Sequence, residues 1–155
     1  MPRVSVLMSV YNDAGYVETA LESILSQTFC DFEFIVVDDG STDDTPAILD
    51  RCADPRVVRL RNEGNLGLAR SLNRGLAVAR GEYVARQDAD DASLPDRLAR
   101  QVQFLDSHPK ITLVGTGFER MDEQGRALGA VTLPTEPDQI HEMLFYSHCF
   151  CHGSV

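Results

Sequence analysis

Acidic side chains crowd two short segments of the sequence, and carboxylates in such groups are suited to bind a metal ion. The first segment holds Asp38 and Asp39, and the second holds Asp88, Asp90 and Asp91. Carboxylates that lie close together repel one another unless a positive charge lies among them. Their hard oxygens suit Mg²⁺ or Mn²⁺, which keep coordination positions open for water or phosphate oxygens. The spacing therefore predicts a divalent-cation site.

Turn formation is a second interpretation of the same residues. Aspartate is common in turns, so Asp88 and Asp91 could form one while Asp90 is solvated. Asp39 is followed by glycine, which makes a frequent turn dipeptide. At the end of a strand, however, Asp38 or Asp39 could accept a hydrogen bond from a base N–H or a ribose hydroxyl. The residues alone leave both interpretations open.

Three further residues are candidates for binding a nucleotide. Ser9 and Tyr11 lie at the end of the first apolar run, and Tyr11 could be a core aromatic or could stack on a nucleobase. Arg70 precedes Arg74 by one helical turn in a predicted helix. It is either an ordinary surface charge or a cation that faces a diphosphate.

Short apolar runs alternate with helical patterns along the chain. The predicted strands are Val4–Val10, Phe32–Val37, Val57–Leu60, Tyr83–Ala85, Ile111–Phe118 and Ala127–Leu133. The alternation predicts an α/β fold with a mostly parallel sheet and helices on both faces. Ligands bind beyond the carboxyl ends of the strands in such sheets. We therefore expect Tyr11, Asp38-Asp39 and the turn Asp88–Asp91 to converge on one crevice.

The predicted helix boundaries rest on polar capping residues and on apolar spacing. Asn12 or Asp13, Ser41 and Ser93 are candidate N-caps of the first, second and fourth helices. The third helix is expected to bury one face, made of Leu68, Ala69, Leu72, Leu76 and Ala79. A last helix is predicted over Pro137–Phe145, followed by strand-like residues at the end of the sequence.

Composition excludes several classes of protein. The 155 residues are 43% hydrophobic and 25% charged, which suits one globular domain. With 24 acidic and 14 basic residues the net charge is −10, so no basic surface is expected for nucleic acid. No apolar run approaches the roughly 20 residues of a membrane-spanning helix, and no signal peptide is recognisable. These observations predict a cytoplasmic location.

In order and spacing, these segments resemble the family 2 glycosyltransferases with the GT-A fold. The resemblance runs from Val4 to about Asp106 and resumes at His152. The segments that carry it are Val4–Asn12, Ser26–Phe29, Phe32–Ser41, Asn65–Asn73, Gly81–Val84, Asp88–Asp91, Pro95–Leu98 and His152–Val155. Each segment alone is weak, but together they are specific. The resemblance implies a GT-A domain that binds a nucleotide-diphosphate sugar, usually a UDP- or dTDP-sugar.

The resemblance also implies roles for the candidate residues. Ser9 and Tyr11 match residues that line the base pocket, and Asp39, with Asp38 close by, matches the carboxylate that accepts the pyrimidine N–H. Arg70 falls where some members place a basic residue near the diphosphate. The last match is to the family's Asp-x-Asp signature, which here is Asp88, Asp90 and Asp91. In the family this signature contacts the ribose and coordinates Mg²⁺ or Mn²⁺ on the diphosphate.

The implied reaction is an inverting transfer of the sugar to a polysaccharide or lipid-linked acceptor, in bacterial surface glycan assembly. Its catalytic base is expected beyond Val155, so we predict a single domain over residues 1–155, truncated before the acceptor-binding region. A location at the inner face of the membrane and a homodimer are compatible with this prediction.

Two alternatives to catalysis of this kind stay open. Without its base, the chain could be a non-catalytic module that binds a nucleotide sugar. A nucleotidyltransferase would also use an α/β sheet and a metal, although no Gly-rich basic loop follows the first strand. A dinucleotide dehydrogenase is disfavoured, because the first strand is not followed by G-x-G-x-x-G.

Overall fold

Strands and helices alternate through most of the chain, as the sequence predicts. The computed structural model describes residues 1–122 and 124–155. The elements are β1 Val4–Val10, α1 Val17–Leu25, β2 Phe32–Asp38, α2 Thr45–Arg51, β3 Val57–Arg61, α3 Leu68–Leu76, β4 Tyr83–Asp88, α4 Arg97–Ser107, β5 Phe118–Met121, β6 Ala127–Val131 and α5 Pro137–Met143. A short 3₁₀ turn, His152–Ser154, follows α5.

The first four strands form one parallel sheet in the order β3-β2-β1-β4. The strand order reverses at β1, which pairs with β2 on one side and with β4 on the other. In this register Val10 lies opposite Asp38, and Ser9 lies opposite Asp88. The carboxyl ends of three neighbouring strands therefore meet at one edge of the sheet, which is where ligands bind in such folds.

The two faces of the sheet are covered by different helices. Even-numbered residues of β1 and β2 pack with α1, α2 and α4 in the larger core, which includes Met8, Phe34 and Ile24. The odd-numbered residues Leu7 and Ile35 pack towards α3 on the other face. Side chains alternate between the faces of a strand, so both strands are buried on both sides. The predicted α/β sheet with helices on both faces is confirmed.

Helix α3 contacts the sheet through only part of the predicted face. Leu68 and Leu76 are about half exposed, while Ser71 and Gly75 are buried. A β-carbon at Gly75 would overlap Cδ1 of Leu7 and stand 3.1 Å from Cγ2 of Val37, so glycine leaves room for the helix to lie close to β1 and β2. The prediction for this face is confirmed for Leu72 and Ala79, which pack against Leu7 and its neighbours in the sheet. It was wrong for Leu68, Ala69 and Leu76, which are exposed, because apolar spacing alone does not reveal that small residues make the closest contact.

The polar residues predicted to cap helices bind neighbouring loops instead. Helices α1, α2 and α4, all within the described residues, have no side-chain hydrogen bond at their N-caps. The Asn12 N–H donates to Ser41 Oγ (3.0 Å), and Asn12 Oδ1 accepts from the Thr42 N–H (2.8 Å). Ser93 Oγ donates to Gln87 Oε1 (2.7 Å). The bonds of Asn12 join two loops about 30 residues apart, and the bond of Ser93 joins its segment to the end of β4. Local capping rules include neither kind of partner.

The second half of the chain departs most from the prediction. Residues 111–117 form no strand, and the strand-like end of the chain is the 3₁₀ turn His152–Ser154. Strands β5 and β6 pair with each other and not with the main sheet. The strand over Ile111–Phe118 was predicted from apolar residues alone, but a strand forms only where a neighbouring strand can pair with it. Across residues 1–122 and 124–155, no helix is long and apolar enough to cross a membrane.

Candidate functional site

The candidate site lies where β1, β2 and β4 end. The loop after β1 is bonded to the loop after β2 and to the start of α2. The Ala14 N–H donates to Asp43 Oδ2 (3.1 Å) of that loop, and the Asp13 N–H donates to Oγ1 of Thr45 (2.9 Å), the first residue of α2. Beside them, β4 continues into the four residues Asp88–Asp91, which we call the acidic turn. The predicted convergence of three acidic or polar strand ends is therefore present in the fold.

Asp39 is buried and fully occupied by donors of one loop. Its Oδ1 accepts from Asn62 Nδ2 (2.6 Å) and the Leu66 N–H (2.9 Å), and its Oδ2 accepts from the Gly67 N–H (2.9 Å). Burial raises the pKa of this carboxyl. These hydrogen bonds, with one involving Ser71, lower the pKa by more than burial raises it, so the pKa lies below the usual value. Asp39 thus holds the loop that leads into α3.

Asp38 is equally buried but less fully hydrogen-bonded. Its Oδ1 accepts from the Ser41 N–H at 2.8 Å, which closes the turn after β2. Its Oδ2 lies 3.2 Å from Arg61 Nε, in an ion pair whose geometry is not that of a hydrogen bond. The first carboxylate of the pair therefore keeps one oxygen that has an electrostatic partner and no hydrogen bond among the described residues.

Ser9 and Tyr11 lie at the same edge. Ser9 is half-buried and is the second-last residue of β1, where it lies opposite Asp88 of β4. Tyr11 follows β1 directly and is 46% exposed, which excludes the alternative that it is a core aromatic. An aromatic ring at the rim of a ligand-binding edge can stack on a flat base. Contact with a base stays a prediction for both residues.

Arg70 lies in the first turn of α3 and is exposed. Among the described residues it takes part in no salt bridge, whereas Arg74 one turn later donates to the Arg61 carbonyl (2.8 Å) and to Asn62 Oδ1. Arg74 is therefore engaged in the loop that Asp39 organises, while the guanidinium of Arg70 faces solvent. A role of Arg70 at a diphosphate stays a prediction.

The carboxylates of Asp88 and Asp91 point at one place. Built onto the backbone of Gly153, a β-carbon would stand 2.5 Å from Oδ2 of Asp91 and 2.7 Å from Oδ2 of Asp88. The other oxygen of Asp88 accepts from Arg86 Nη2 at 2.5 Å, in a largely buried ion pair. Asp90 is exposed at the tip of the turn. Two carboxylates therefore converge beside the 3₁₀ turn.

The charge within the acidic turn is incompletely balanced. Partial burial raises the pKa of Asp91, and the negative charges of Asp88 and Asp90 raise it further, against the attraction of Arg97 and Arg86. A carboxyl whose ionised form is disfavoured in this way is a group that a bound cation would relieve. The electrostatics of the turn therefore favour a positive ligand.

The acidic turn fits a divalent cation that is bound together with a phosphate ligand. In the part of the chain that the structure describes, no three His, Cys, Asp or Glu side chains enclose a metal site by themselves. Mg²⁺ and Mn²⁺ typically take only one or two carboxylates from such proteins and complete their coordination with water and substrate phosphates. The converging oxygens of Asp88 and Asp91 provide hard donors of this kind, with Asp90 beside them.

Four residues at the site were missed as candidates. Asp13 is close enough to the acidic turn that burial, followed by the charges of Asp90 and Asp43, raises its pKa. The other three are Gln87, which binds the backbone of the acidic turn, Arg97, which binds Gln87, and Gly153, which lies against the carboxylates of the turn. Asp13 could have been found by the strand-end rule, since it follows β1. Arg97 and Gly153 lie in segments that carry the family resemblance, Pro95–Leu98 and His152–Val155, and these segments could have indicated them. Gln87 directly precedes the acidic turn, but its neighbours in sequence give no sign that its amide binds the backbone of the turn.

The family follows from comparison with known proteins. A family model described as "Glycosyl transferase family 2" matches residues 5–153. The match covers nearly the whole chain. The chain therefore belongs to glycosyl transferase family 2, and its α/β architecture is the GT-A fold of that family's solved members.

Two curated relatives from bacteria are glycosyltransferases by name. EpsE of Bacillus subtilis (strain 168), whose name calls it a glycosyltransferase, is 42% identical over 99% of this chain and 55% of its own length. The amylovoran biosynthesis glycosyltransferase AmsE of Erwinia amylovora is 35% identical over 97% of this chain and 58% of its own length. The chain thus spans a little over half the length of these relatives.

Two solved structures with the same fold hold nucleotide sugars. The mannosyltransferase PcManGT from Pyrobaculum calidifontis, in complex with GDP-Man and Mn²⁺, is 34% identical with a TM-score of 0.66, over 77% of this chain and 36% of that one. TarS 1-349 of S. aureus in complex with UDP-GlcNAc is 33% identical with a TM-score of 0.66, over 70% of this chain and 32% of that one.

Proposed function

We propose that this chain binds the nucleotide-diphosphate sugar donor of a family 2 glycosyltransferase at the edge formed by β1, β2 and β4. The observation that carries the proposal is the convergence of Asp88 and Asp91 beside the ends of β1 and β2. Tyr11, Ser9 and the Asp38-Asp39 pair lie at the same edge, where they would surround the base and ribose. The family and the donor complexes of its solved relatives support this assignment.

A divalent cation completes the proposed site. The chain carries a net charge of −10, and a diphosphate is itself anionic, so the acidic turn can hold it only through a positive bridge. Asp88, Asp90 and Asp91 would hold Mg²⁺ or Mn²⁺, and Arg70 would lie towards the diphosphate. The cation, when bound, supplies charge stabilisation for the departing nucleoside diphosphate. One solved relative is in complex with Mn²⁺, which supports the use of such an ion.

The proposed reaction is transfer of the sugar with inversion at its anomeric carbon. The bond from the acceptor oxygen to the anomeric carbon forms as the bond from that carbon to the diphosphate oxygen breaks. A carboxylate base takes the proton of the acceptor hydroxyl. This chain would contribute donor binding, and we assign the base to none of the residues described above. A donor-binding module without catalysis is therefore the alternative within the same proposal.

Membership in a glycosyltransferase family favours this proposal over the nucleotidyltransferase alternative. The names of relatives suggest polysaccharide assembly as the biological setting, since AmsE is named for amylovoran biosynthesis. We extend this setting to the present chain, with a glycan or lipid-linked acceptor. A cytoplasmic location, or a peripheral one at the inner face of the membrane, and a homodimer remain predictions from the sequence.

Thermal shift with nucleoside diphosphates tests the proposal. UDP, dTDP and GDP are each added with Mn²⁺ or with a chelator, and the Tm is recorded. A ligand at 100 times its Kd stabilises the folded state by about 2.7 kcal/mol, which corresponds to roughly 5–10 °C for a chain of this size. The proposal predicts a shift of this kind for one diphosphate with Mn²⁺. The absence of any metal-dependent shift would contradict it.

A further inference from the structure

The backbone of the acidic turn is held from below by one buried amide. Gln87 is fully buried, and its Nε2 donates to the carbonyl oxygens of Asp88 (3.0 Å) and Asp91 (2.8 Å). These two carbonyls belong to the first and last residues of the turn. A single side chain therefore fixes the distance between the two ends of the turn, and with it the positions from which the Asp88 and Asp91 carboxylates extend.

The orientation of the Gln87 amide is itself determined by Arg97. Gln87 Oε1 accepts from Arg97 Nη1 (3.0 Å) and from Ser93 Oγ (2.7 Å), so the amide nitrogen must face the turn. An amide flipped by 180° would place its N–H groups against these donors and leave the two carbonyls unpaired, which is costly in a buried site. Arg97 thus acts on the turn through Gln87.

Arg97 also connects the acidic turn to the 3₁₀ turn beside it. Its Nη2 donates to the Arg86 carbonyl (2.6 Å) and the Val155 carbonyl (3.3 Å), and its Nε donates to Gln101 Oε1 (3.1 Å). Gln101 Nε2 in turn donates to the Ser154 carbonyl (2.8 Å). The guanidinium is buried at the start of α4 and uses its fork to hold both turns in one arrangement.

The acidic turn and the polar groups beneath it carry features that do not favour stability. The acidic turn lies at an exposed corner, and its negative charges repel one another. Within the described residues, Arg86 Nε is buried without a hydrogen-bond partner, so the polar groups beneath the turn are not arranged for maximal stability. Such costs are typical of sites kept in a fixed geometry for a ligand.

We propose that Gln87 and Arg97 are positioning residues, which hold the acidic turn so that Asp88 and Asp91 bind the cation of a metal–nucleotide complex. This inference rests on the proposed function. Neither residue touches the ligand: Gln87 fixes the turn, and Arg97 fixes Gln87. The consequence is that both residues control the metal-dependent part of nucleotide binding and leave the contacts of the base, on the other strands, unchanged.

Calorimetric titration of the 155-residue chain tests this inference, with UDP or GDP as the ligand and with either Mn²⁺ or a chelator present. Gln87→Met removes both N–H donors at similar volume, and Arg97→Lys keeps the charge but loses the fork. We expect each variant to weaken binding at least tenfold with Mn²⁺ and less than twofold with chelator. Far-UV circular dichroism and melting curves verify that the variants are folded.

Arg80→Met is the matched control. Arg80 Nε and Nη2 bind Glu33 Oε2 (2.9 and 2.6 Å), close to the amino ends of β1 and β2 and far from the acidic turn. This variant also loses the guanidinium hydrogen bonds of an arginine, here an exposed one paired with the buried Glu33, yet we expect its Mn²⁺-dependent affinity to stay within twofold of wild type. If Gln87→Met does not fold, Ser93→Ala removes one of the two groups that orient Gln87, and we expect a smaller loss in the same direction.

The outcomes separate this inference from the proposed function. Equal affinities of wild type and the folded variants with Mn²⁺ would overturn the positioning role. Equal losses with Mn²⁺ and with chelator would also overturn it, because they would indicate general damage to the site. A wild-type chain that binds no nucleoside diphosphate in a metal-dependent manner would contradict the proposed function itself, before any variant is compared.

Discussion

Gly153 lies so close to Asp91 that a β-carbon on this glycine would stand 2.5 Å from Oδ2 of the carboxylate. The same β-carbon would stand 2.7 Å from Oδ2 of Asp88. Real β-carbons do not approach oxygens this closely, so only glycine fits at position 153 while both carboxylates keep their places. Two segments separated by more than 60 residues of sequence thus share one small volume at the candidate site.

Gly153→Ala is expected to displace the carboxylates of the acidic turn. Because Asp88 is held by Arg86, Asp91 must move, at a cost of about 1–3 kcal/mol if the site cannot relax. We predict at least tenfold weaker Mn²⁺-dependent binding of a nucleoside diphosphate, measured by calorimetry. Gly15→Ala is the control, since a β-carbon there meets nothing within 4 Å. Unchanged affinity in Gly153→Ala would contradict the tight approach.

Asp39→Asn is expected to destabilise the chain even without nucleotide. The carboxylate accepts three N–H groups, and an asparagine amide would set a donor against at least one of them. Hydrogen bonds to charged groups contribute about 1.5–3 kcal/mol each, so the Tm of the ligand-free chain should fall by several degrees. Amide hydrogen exchange at Leu66 and Gly67 should become faster. A Tm equal to that of wild type would show that Asp39 does not hold this loop.

Tyr11→Ala is expected to show the opposite behaviour. The ring is 46% exposed and lies at the rim of the site, so removing it should change the Tm of the ligand-free chain little. If the ring stacks on a base, nucleotide affinity should fall about fivefold or more, with Mn²⁺ and with chelator alike. Tyr16→Ala, which removes a ring of similar exposure (47%), provides the comparison. Equal nucleotide affinity in wild type and Tyr11→Ala would exclude stacking.

Acid sensitivity of the fold is expected to depend on Glu33. Burial raises the pKa of this carboxyl. Hydrogen bonds from Arg80 and Ser5 lower the pKa by more than burial raises it, so the folded-state pKa lies below the unfolded value. A carboxyl with a lowered pKa stabilises the fold above its unfolded pKa, near 4.3, and this contribution disappears as the pH falls through the folded pKa.

The measurement for Glu33 is denaturant unfolding of Glu33→Gln and wild type between pH 7 and pH 3. At pH 7 the variant should be less stable by about 1–3 kcal/mol, because the buried carboxylate is lost from its donors. The difference should shrink towards pH 3. Asp50→Asn, at an exposed ion pair with Arg59, should change stability by less than about 1 kcal/mol. A difference that stays constant with pH would contradict the assignment.

The sheet was predictable because its strands are buried on both faces. Val4–Val10 and Phe32–Asp38 read as continuous apolar runs, and the rule that ligands bind at carboxyl ends located the acidic turn before any contact was known. Residues 111–117 were not predictable in the same way. Their apolar residues resemble a strand, yet pairing depends on a partner strand that the local sequence does not specify.

The charged residues of the candidate site were predictable from the sequence, but the residues that hold them in place were not. Asp88 and Asp91 were identified from their own spacing. The supporting role of Gln87 depends on a bond to the backbone of the turn, and Arg97 reaches the turn only through Gln87, by packing of α4 against β4. A base contact of Asp39 stays a prediction, and in the fold its carboxylate accepts hydrogen bonds from Asn62 and Gly67 of the loop before α3. Long-range hydrogen bonds of this kind are absent from any local pattern.

The most direct test of the proposed donor site compares wild type with Asp91→Ala by calorimetric titration of the nucleoside diphosphate that gives the largest thermal shift. Burial and neighbouring charges disfavour the ionised Asp91 carboxyl, so its removal should leave the Tm of the ligand-free chain unchanged or slightly higher. We predict that Mn²⁺ strengthens binding in wild type and has no effect in Asp91→Ala. Equal binding by the two proteins, with and without Mn²⁺, would contradict the assignment of the acidic turn as the metal–diphosphate site.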